Sequence, residues 1–194
     1  MVIGITGNIA SGKSLVTNYL LNKNYKVIDS DKISHDVLLL DEVKEKLINS
    51  FSLEIITNEQ IDRKKLGSIV FNNKDKKELL QSIVFPYILK EINNQINSYK
   101  DGNIKLIFLD APLLIEYNIM YLVDKIILVK TNKDIQIQRL MARDNISYEY
   151  AIKKINSQLP VEEKEKYANY IINNDLDINY AYNQIENILK QLED

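Results

Sequence analysis

Cysteine is absent from this chain of 194 residues. Its absence excludes disulfides, thiolate nucleophiles and cysteine-type zinc sites, and it fits the cytoplasm as the expected location. Neither sign of charge dominates. The 25 basic and 27 acidic side chains leave a net charge of −2, so no global field draws the chain to nucleic acid or to a membrane surface. Long apolar runs are also missing: none approaches the ~18 residues needed to span a bilayer. The apolar N-terminal run has no basic segment before it and is broken by Gly4, Thr6, Gly7 and Asn8, so no signal peptide is expected there. Glycine is scarce, with five in all, and three of them (Gly4, Gly7 and Gly12) fall within the first twelve residues. The 45% hydrophobic content suffices for a core, and the length suits one domain with room for an inserted subdomain. The heavy use of Asn, Ile, Lys and Tyr carries no functional reading, and there is no internal repeat or low-complexity linker.

The glycines cluster in Gly7-Asn8-Ile9-Ala10-Ser11-Gly12-Lys13-Ser14, the G-x-x-x-x-G-K-S pattern of a phosphate-binding loop. Before it, Val2-Ile3-Gly4-Ile5-Thr6 reads as a buried strand. After it, Val16, Tyr19 and Leu20 share one helix face. Such a loop cradles a polyphosphate with consecutive backbone N–H groups and the positive end of a helix. Gly7 and Gly12 permit backbone angles and close approaches that a Cβ resists. Lys13 is expected on the β- and γ-phosphates and the Ser14 hydroxyl on Mg²⁺. At ordinary residue frequencies a chance match is expected in under about 1% of chains of this length.

Further strands are expected at 25–29, 105–110, 124–129 and 170–173, with helical segments between them. Asp29 and Asp31 stand at the carboxyl end of the second strand, where open α/β sheets bind ligands. Two readings are open there: a metal or hydroxyl contact, or a helix N-cap. Residues 41–100 read as helices at 41–50, 63–71, 74–83 and 86–99 with no strand, and Pro86 suits a helix start. This helical insertion either carries a second substrate or only adds core. Asp110 ends an apolar strand, either as a Walker B carboxylate near Mg²⁺ or as a cap. Arg139 and Arg143 share a helix face before a break at 145–147. They suit a lid over phosphates, or they are solvated charges, with Asp144 as a partner. Ser147 is a candidate N-cap. Ile178, Ala181, Tyr182, Ile185, Ile188, Leu189 and Leu192 form an apolar stripe that is core or interface.

A phosphate loop fixes a nucleotide, not a reaction. A GTP-dependent switch expects D-x-x-G after the third strand and N-K-x-D for guanine. The chain has Asp110-Ala111-Pro112-Leu113 and Asn132-Lys133-Asp134-Ile135 instead, and both patterns fail. A motor or ATP-driven regulator needs more chain and a partner surface. A small-molecule kinase accounts for the length, the insertion and the arginine pair together.

The residues also carry a family resemblance over nearly the whole chain. Ile5 to Ser14, Ile28-Asp29-Ser30-Asp31, Ile61-Asp62-Arg63 with Leu66-Gly67 and Val70-Phe71, Asp110-Ala111-Pro112-Leu113-Leu114-Ile115-Glu116, Arg139-Leu140-Met141-Ala142-Arg143-Asp144 and Ile155-Asn156-Ser157-Gln158 resemble, in order and spacing, the dephospho-coenzyme A kinase family. The chain departs from the family at three points. Phe85-Pro86 replaces its His-Pro, Ser30 replaces its Ala, and Glu59-Gln60 replaces a turn glycine.

The resemblance implies a P-loop NTPase three-layer α/β fold with a five-stranded parallel sheet. It implies one domain over 1–194, with an acceptor-binding helical insertion at about 41–100 and a lid at about 139–160. The implied reaction is transfer of a phosphoryl group from ATP to the ribose 3′-hydroxyl of dephospho-CoA. Lys13, Asp31 and Arg139 would be catalytic. Asn8, Ile9, Ala10, Ser11, Gly12, Lys13, Ser14 and Arg143 would hold the nucleotide. Asp31, His35, Arg63, Pro112 and Leu113 would hold the acceptor, and Ser14, Asp31 and Asp110 the Mg²⁺. For Asp31, orientation of the hydroxyl and metal contact outweigh proton acceptance, because a carboxylate is a weak base at neutral pH. For His35, ligand contact and packing both stand. The expected partners are small molecules, with no nucleic acid or membrane, and the chain is expected as a monomer or weak homo-oligomer. A nucleoside or nucleoside-monophosphate kinase and a non-catalytic nucleotide-binding regulator remain as alternatives.

Overall fold

Strand β1 (Val2–Gly7) is buried along its whole length, as its apolar, β-branched sequence dictates. It lies third in a five-stranded sheet of order β2-β5-β1-β6-β7, in which β2 is Lys26–Asp29, β5 Ile107–Asp110, β6 Lys125–Lys130 and β7 Tyr170–Asn173. β1 pairs in parallel with β5 (Ile5 opposite Asp110) and with β6 (Gly7 opposite Val129), and β6 pairs in parallel with β7. Because β5 and β6 flank β1, the carboxyl end of β1 is the topological switch point, where α/β sheets bind ligands.

The computed structural model describes residues 1–70 and 73–193. It divides into two compact units, Met1–Ile28 with Tyr99–Asp194, and Asp29–Ser98.

In the first unit, α1 (Lys13–Asn22) and α9 (Ile178–Glu193) cover one face of the sheet. Val16 and Leu20 of α1 and Ala181, Ile185, Ile188, Leu189 and Leu192 of α9 join Ile3, Ile5, Phe108, Ile127, Val129 and Ile172 in one core. The C-terminal stripe is therefore core in this structure. Two of its expected members differ. Tyr182 is half-buried, with its ring centroid 4.5 Å from that of Tyr19. Ile178 lies in the first turn, beside the Asp177 cap that accepts from Tyr180 N at 2.9 Å, and is 55% exposed. The other helices of this unit are α6 (Lys133–Asp144), α7 (Tyr148–Ile155) and α8 (Val161–Glu165). Ser147 caps α7, as its side chain accepts from Tyr150 N at 3.3 Å.

The second unit holds α2 (Ser30–Val37), α3 (Asp41–Phe51), α4 (Arg63–Val70) and most of α5 (Lys74–Asp101). Two expectations need correction here. First, the region does contain strands, β3 (Ile56–Thr57) and β4 (Gln60–Ile61), paired antiparallel. Asn58 and Glu59 turn between them with φ of 50° and 64°, the paired positive φ of a two-residue hairpin, reached here without the usual glycine. Second, the segments at 74–83 and 86–99 are one helix, with Pro86 inside it. Pro86 lacks the N–H that would bond four residues back, but Pro86 and Ser82 are both exposed, so the freed Ser82 carbonyl can turn to water. Of the stretch expected at 63–71, Phe71 lies outside the described residues.

The stripe gives a direct check. Ile185→Ala should lower stability to urea by about 2–4 kcal/mol through cavity formation, whereas Ile178→Ala should change it by under about 0.5 kcal/mol.

Candidate active site

The loop between β1 and α1 has little room for side chains. A Cβ on Gly7 would stand 2.5 Å from Val129 O, and one on Gly12 would stand 1.9 Å from Asn174 Nδ2. Gly12 has φ 89° and Ala10 has φ 59°, so two of four consecutive residues are left-handed. Only Gly12 adopts that region without steric cost. Ser11 N donates to Asn8 O at 3.0 Å and closes the turn. Helix α1 then begins with no side-chain cap and no acidic residue in its first turn. Leu15 N donates to Gly12 O at 2.9 Å, and the N–H groups before it, with no side-chain cap, carry the positive end of the helix dipole. Such a terminus is suited to an anion.

Lys13, the first residue of α1, is ion-paired with Asp110 at the end of β5. Both side chains are largely buried, 17% and 10% exposed, and the register of β1 with β5 puts Asp110 opposite Ile5. Ser14 is exposed one residue on. Among the described residues no group of three or more His, Asp or Glu side chains stands together as a metal cage.

The stretch after β5 is fixed from two sides. Pro112 O accepts from Thr6 Oγ1 at 3.0 Å and from Lys164 Nζ at 3.2 Å. Lys164 of α8 is fully buried, with Nζ 2.7 Å from Glu116 Oε1. Glu116, the last residue of the D-A-P-L-L-I-E stretch, thus meets a cation that sequence reasoning missed. A lysine inside V-E-E-K-E-K reads as solvated, and only the fold reveals its burial. Pro112 and Leu113 are half-buried in this turn.

The two arginines of α6 have different surroundings. Arg139 is half-buried beside the loop. Its Nη2 donates to Asn174 O at 3.0 Å, and its Nη1 is 3.7 Å from where a Cβ on Gly12 would stand. Arg143 is exposed and paired with Asp144 (Nε to Oδ1, 2.8 Å), which also accepts from Lys154 Nζ at 2.7 Å. The Arg143 guanidinium and the Lys154 ammonium hold the Asp144 carboxyl down to about 2. Helices α6 and α7 join through Ile137, Leu140, Ala151 and Ile155, and Ile9 and Ala10 of the loop pack against that cluster.

In the second unit, the N-cap position of α2 is taken by Asp29, whose Oδ1 accepts from Lys32 N at 2.9 Å. That leaves Asp31 exposed in the first turn. His35 is exposed in the last turn, so it contributes nothing to a core. Arg63 is exposed at the start of α4. The neighbouring Asp62 caps that helix, accepting from Lys64 N and Lys65 N at 3.0 and 3.1 Å and from Thr57 Oγ1 at 2.9 Å. These bonds, the Lys65 N–H foremost, lower the pKa of Asp62.

Sequence reasoning also missed Gln136 and Asn174, which hydrogen-bond to the loop backbone. No local signal marks either residue, because each is an ordinary polar side chain whose partner is distant in sequence. The Asp144 cluster gives a pH test. A carboxyl whose pKa is lowered on folding stabilises above its unfolded value of about 4, and loses that effect as pH falls toward its folded value. Wild type should therefore exceed Asp144→Asn in urea resistance by a constant margin from pH 5 to 8, and the margin should vanish between about pH 4 and pH 2.

Comparison with known proteins agrees with this geometry. The family model described as dephospho-CoA kinase matches residues 1–179. A relative from Oceanobacillus iheyensis named dephospho-CoA kinase is 40% identical over 193 residues, covering 98% of this chain and 97% of its own. A solved Thermus thermophilus protein superposes with a TM-score of 0.86 at 28% identity, over 99% of this chain and 97% of its own. The solved dephospho-CoA kinase from Campylobacter jejuni superposes with a TM-score of 0.67 at 31% identity, over 98% and 96%. The chain belongs to the dephospho-CoA kinase family.

Proposed function

We propose that this chain transfers the γ-phosphoryl group of ATP to the ribose 3′-hydroxyl of dephospho-CoA. The observation that carries the donor half is the start of α1: N–H groups with no side-chain cap, a left-handed Gly12 and the Lys13 ammonium gathered at the switch point of the sheet. The acceptor half rests on family membership over residues 1–179, which also disfavours the nucleoside kinase and the non-catalytic regulator.

Phosphoryl transfer is catalysed by positioning and charge neutralisation more than by covalent chemistry. The amides of Ala10, Gly12, Lys13 and Ser14 bind the β- and γ-phosphates, whereas those of Ile9 and Ser11 are already engaged by Gln158 Oε1 and Asn8 O. Lys13 exchanges its Asp110 partner for phosphate oxygens. Arg139, already beside Gly12, neutralises charge on the transferring group, and Arg143 leaves Asp144 to join it when the lid, residues 139–160, closes. The insertion at 41–100 contributes Arg63 to the acceptor; outside it, Asp31 orients the acceptor hydroxyl, and His35, Pro112 and Leu113 are further contacts.

Mg²⁺ fits the donor set. It is octahedral, keeps several waters and takes few protein ligands beside phosphate oxygens. Ser14 offers a hydroxyl at the start of α1 and Asp110 a carboxylate beside Lys13, which suits that preference, and Asp31 is the third proposed contact. Bound there, Mg²⁺ would neutralise charge between the β- and γ-phosphates. No helix among the described residues is long and apolar enough to cross a membrane. We assign the chain to the cytoplasm, as a monomer or weak homo-oligomer acting on small molecules.

The reading is tested by mass spectrometry of products after incubation with Mg·ATP and dephospho-CoA, AMP, dTMP or common nucleosides. A phosphoryl gain on dephospho-CoA alone is expected, and a gain on a nucleotide instead would overturn the acceptor assignment. Lys13→Ala and Asp31→Asn should each lower kcat by at least about 10²-fold with unchanged circular dichroism. Near-normal turnover in Asp31→Asn would remove Asp31 from the site.

A further inference from the structure

The loop 7–14 has one internal bond, Ser11 N to Asn8 O, which leaves the orientation of its other peptide units open. Ala10 sits at φ 59°, a region that costs a non-glycine residue roughly 1–2 kcal/mol, and Gly12 has little preference of its own between positive and negative φ. The rest of its shape is held by bonds to groups distant in sequence. Gln136 Nε2 donates to Ile9 O at 2.6 Å, and Ile9 N donates to Gln158 Oε1 at 2.6 Å. Asn174 Nδ2 donates to Ser11 O at 2.9 Å, and Asn8 Nδ2 donates to Leu159 O at 2.9 Å. Gln136 and Asn174 are 7% and 6% exposed, so each amide would be costly to bury if it had no partner.

The geometry of the peptide bond turns these contacts into a directional device. In a trans peptide the C=O and the following N–H lie in one plane and point in opposite directions. Fastening Ile9 O to Gln136 therefore aims Ala10 N–H away from Gln136. Fastening Ser11 O to Asn174 aims Gly12 N–H away from Asn174. With both carbonyls held, the two amides cannot flip to present a carbonyl oxygen to an anion.

We propose that Gln136 and Asn174 are positioning residues for the phosphate cradle: they set the direction of the Ala10 and Gly12 amides and thereby the affinity for the polyphosphate of ATP. This rests on the reading of Gly7–Ser14 as a phosphate-binding loop. Neither side chain has to touch the nucleotide, because each acts through one peptide unit.

The test is ¹H–¹⁵N NMR of the full chain titrated with Mg·ATP in the absence of acceptor. In wild type the Ala10 and Gly12 amide protons should both shift on binding. Gln136→Met, which keeps length but has no donor, should abolish the Ala10 shift and spare that of Gly12. Asn174→Leu, close to isosteric, should do the reverse. Each should raise the Kd for ATP about tenfold, the loss of one charge-assisted hydrogen bond. A general structural role would disturb both amides alike, and that crossed pattern separates the two.

Should either variant lose its folded spectrum, Gln136→Glu carries the test. Protonated, its carboxyl donates to Ile9 O, so its ATP affinity relative to wild type should recover as pH is lowered. Unchanged affinity with both amides responding in the variants, or no pH-dependent recovery, would overturn the proposal. If the wild-type amides do not respond to Mg·ATP at all, the phosphate-loop reading fails instead.

Discussion

An anion held by backbone amides imposes an unusual requirement. Several N–H groups must lack internal partners and still point to one place. A free chain satisfies neither condition, since unpaired amides bond to water or to their own backbone, and peptide units flip. In this protein the first condition is met at the start of α1, where Gly12 supplies a left-handed residue and no side chain caps the helix. The second is met by fastening the opposite side of the loop to Gln136 and Asn174.

Much of the first unit follows from that requirement. β1 is central and fully buried, so the loop it feeds starts from a rigid base. Gly7 lies so close to Val129 O that no Cβ fits. Gln136 stands on α6, and α6 and α7 pack on Ile9 and Ala10 through a small apolar cluster. Asn174 directly follows β7 and also accepts from Arg139 through its carbonyl, so the loop and the cation beside it share one support. The buried Lys164–Glu116 pair and the Pro112 carbonyl fix the turn that follows Asp110. Removing one partner of such a pair would leave a buried charge uncompensated, which costs about 3–5 kcal/mol.

The elements that were legible in the sequence are those governed by local chemistry. The strand, loop and helix around Gly7–Ser14, the five strands of the sheet, the Ser147 cap and the Asn145 break are all decided within a few residues. At 29–31 the sequence left cap and ligand undivided, and the hydrogen bond from Lys32 N assigns the cap to Asp29. Pro86 lies inside a helix despite its missing N–H and the clash of its ring with the Ser82 carbonyl, a cost that the long helix carries at an exposed position where water can serve that carbonyl. The β3–β4 hairpin was missed because Asn-Glu is not a turn pair that sequence rules favour. Gln136, Asn174 and Lys164 were out of reach for another reason. Their partners lie 127, 163 and 52 residues away, and nothing local marks a glutamine, an asparagine or a lysine as buried.

A crystal structure with Mg·ADP would test the central claim most directly. The account predicts the β-phosphate within hydrogen-bond distance of the backbone N–H groups of Gly12, Lys13 and Ser14, with Ser11 O still on Asn174 and Ile9 O still on Gln136. A β-phosphate bound away from these amides, or a Ser11–Gly12 peptide turned over with its carbonyl toward the ligand side, would contradict it.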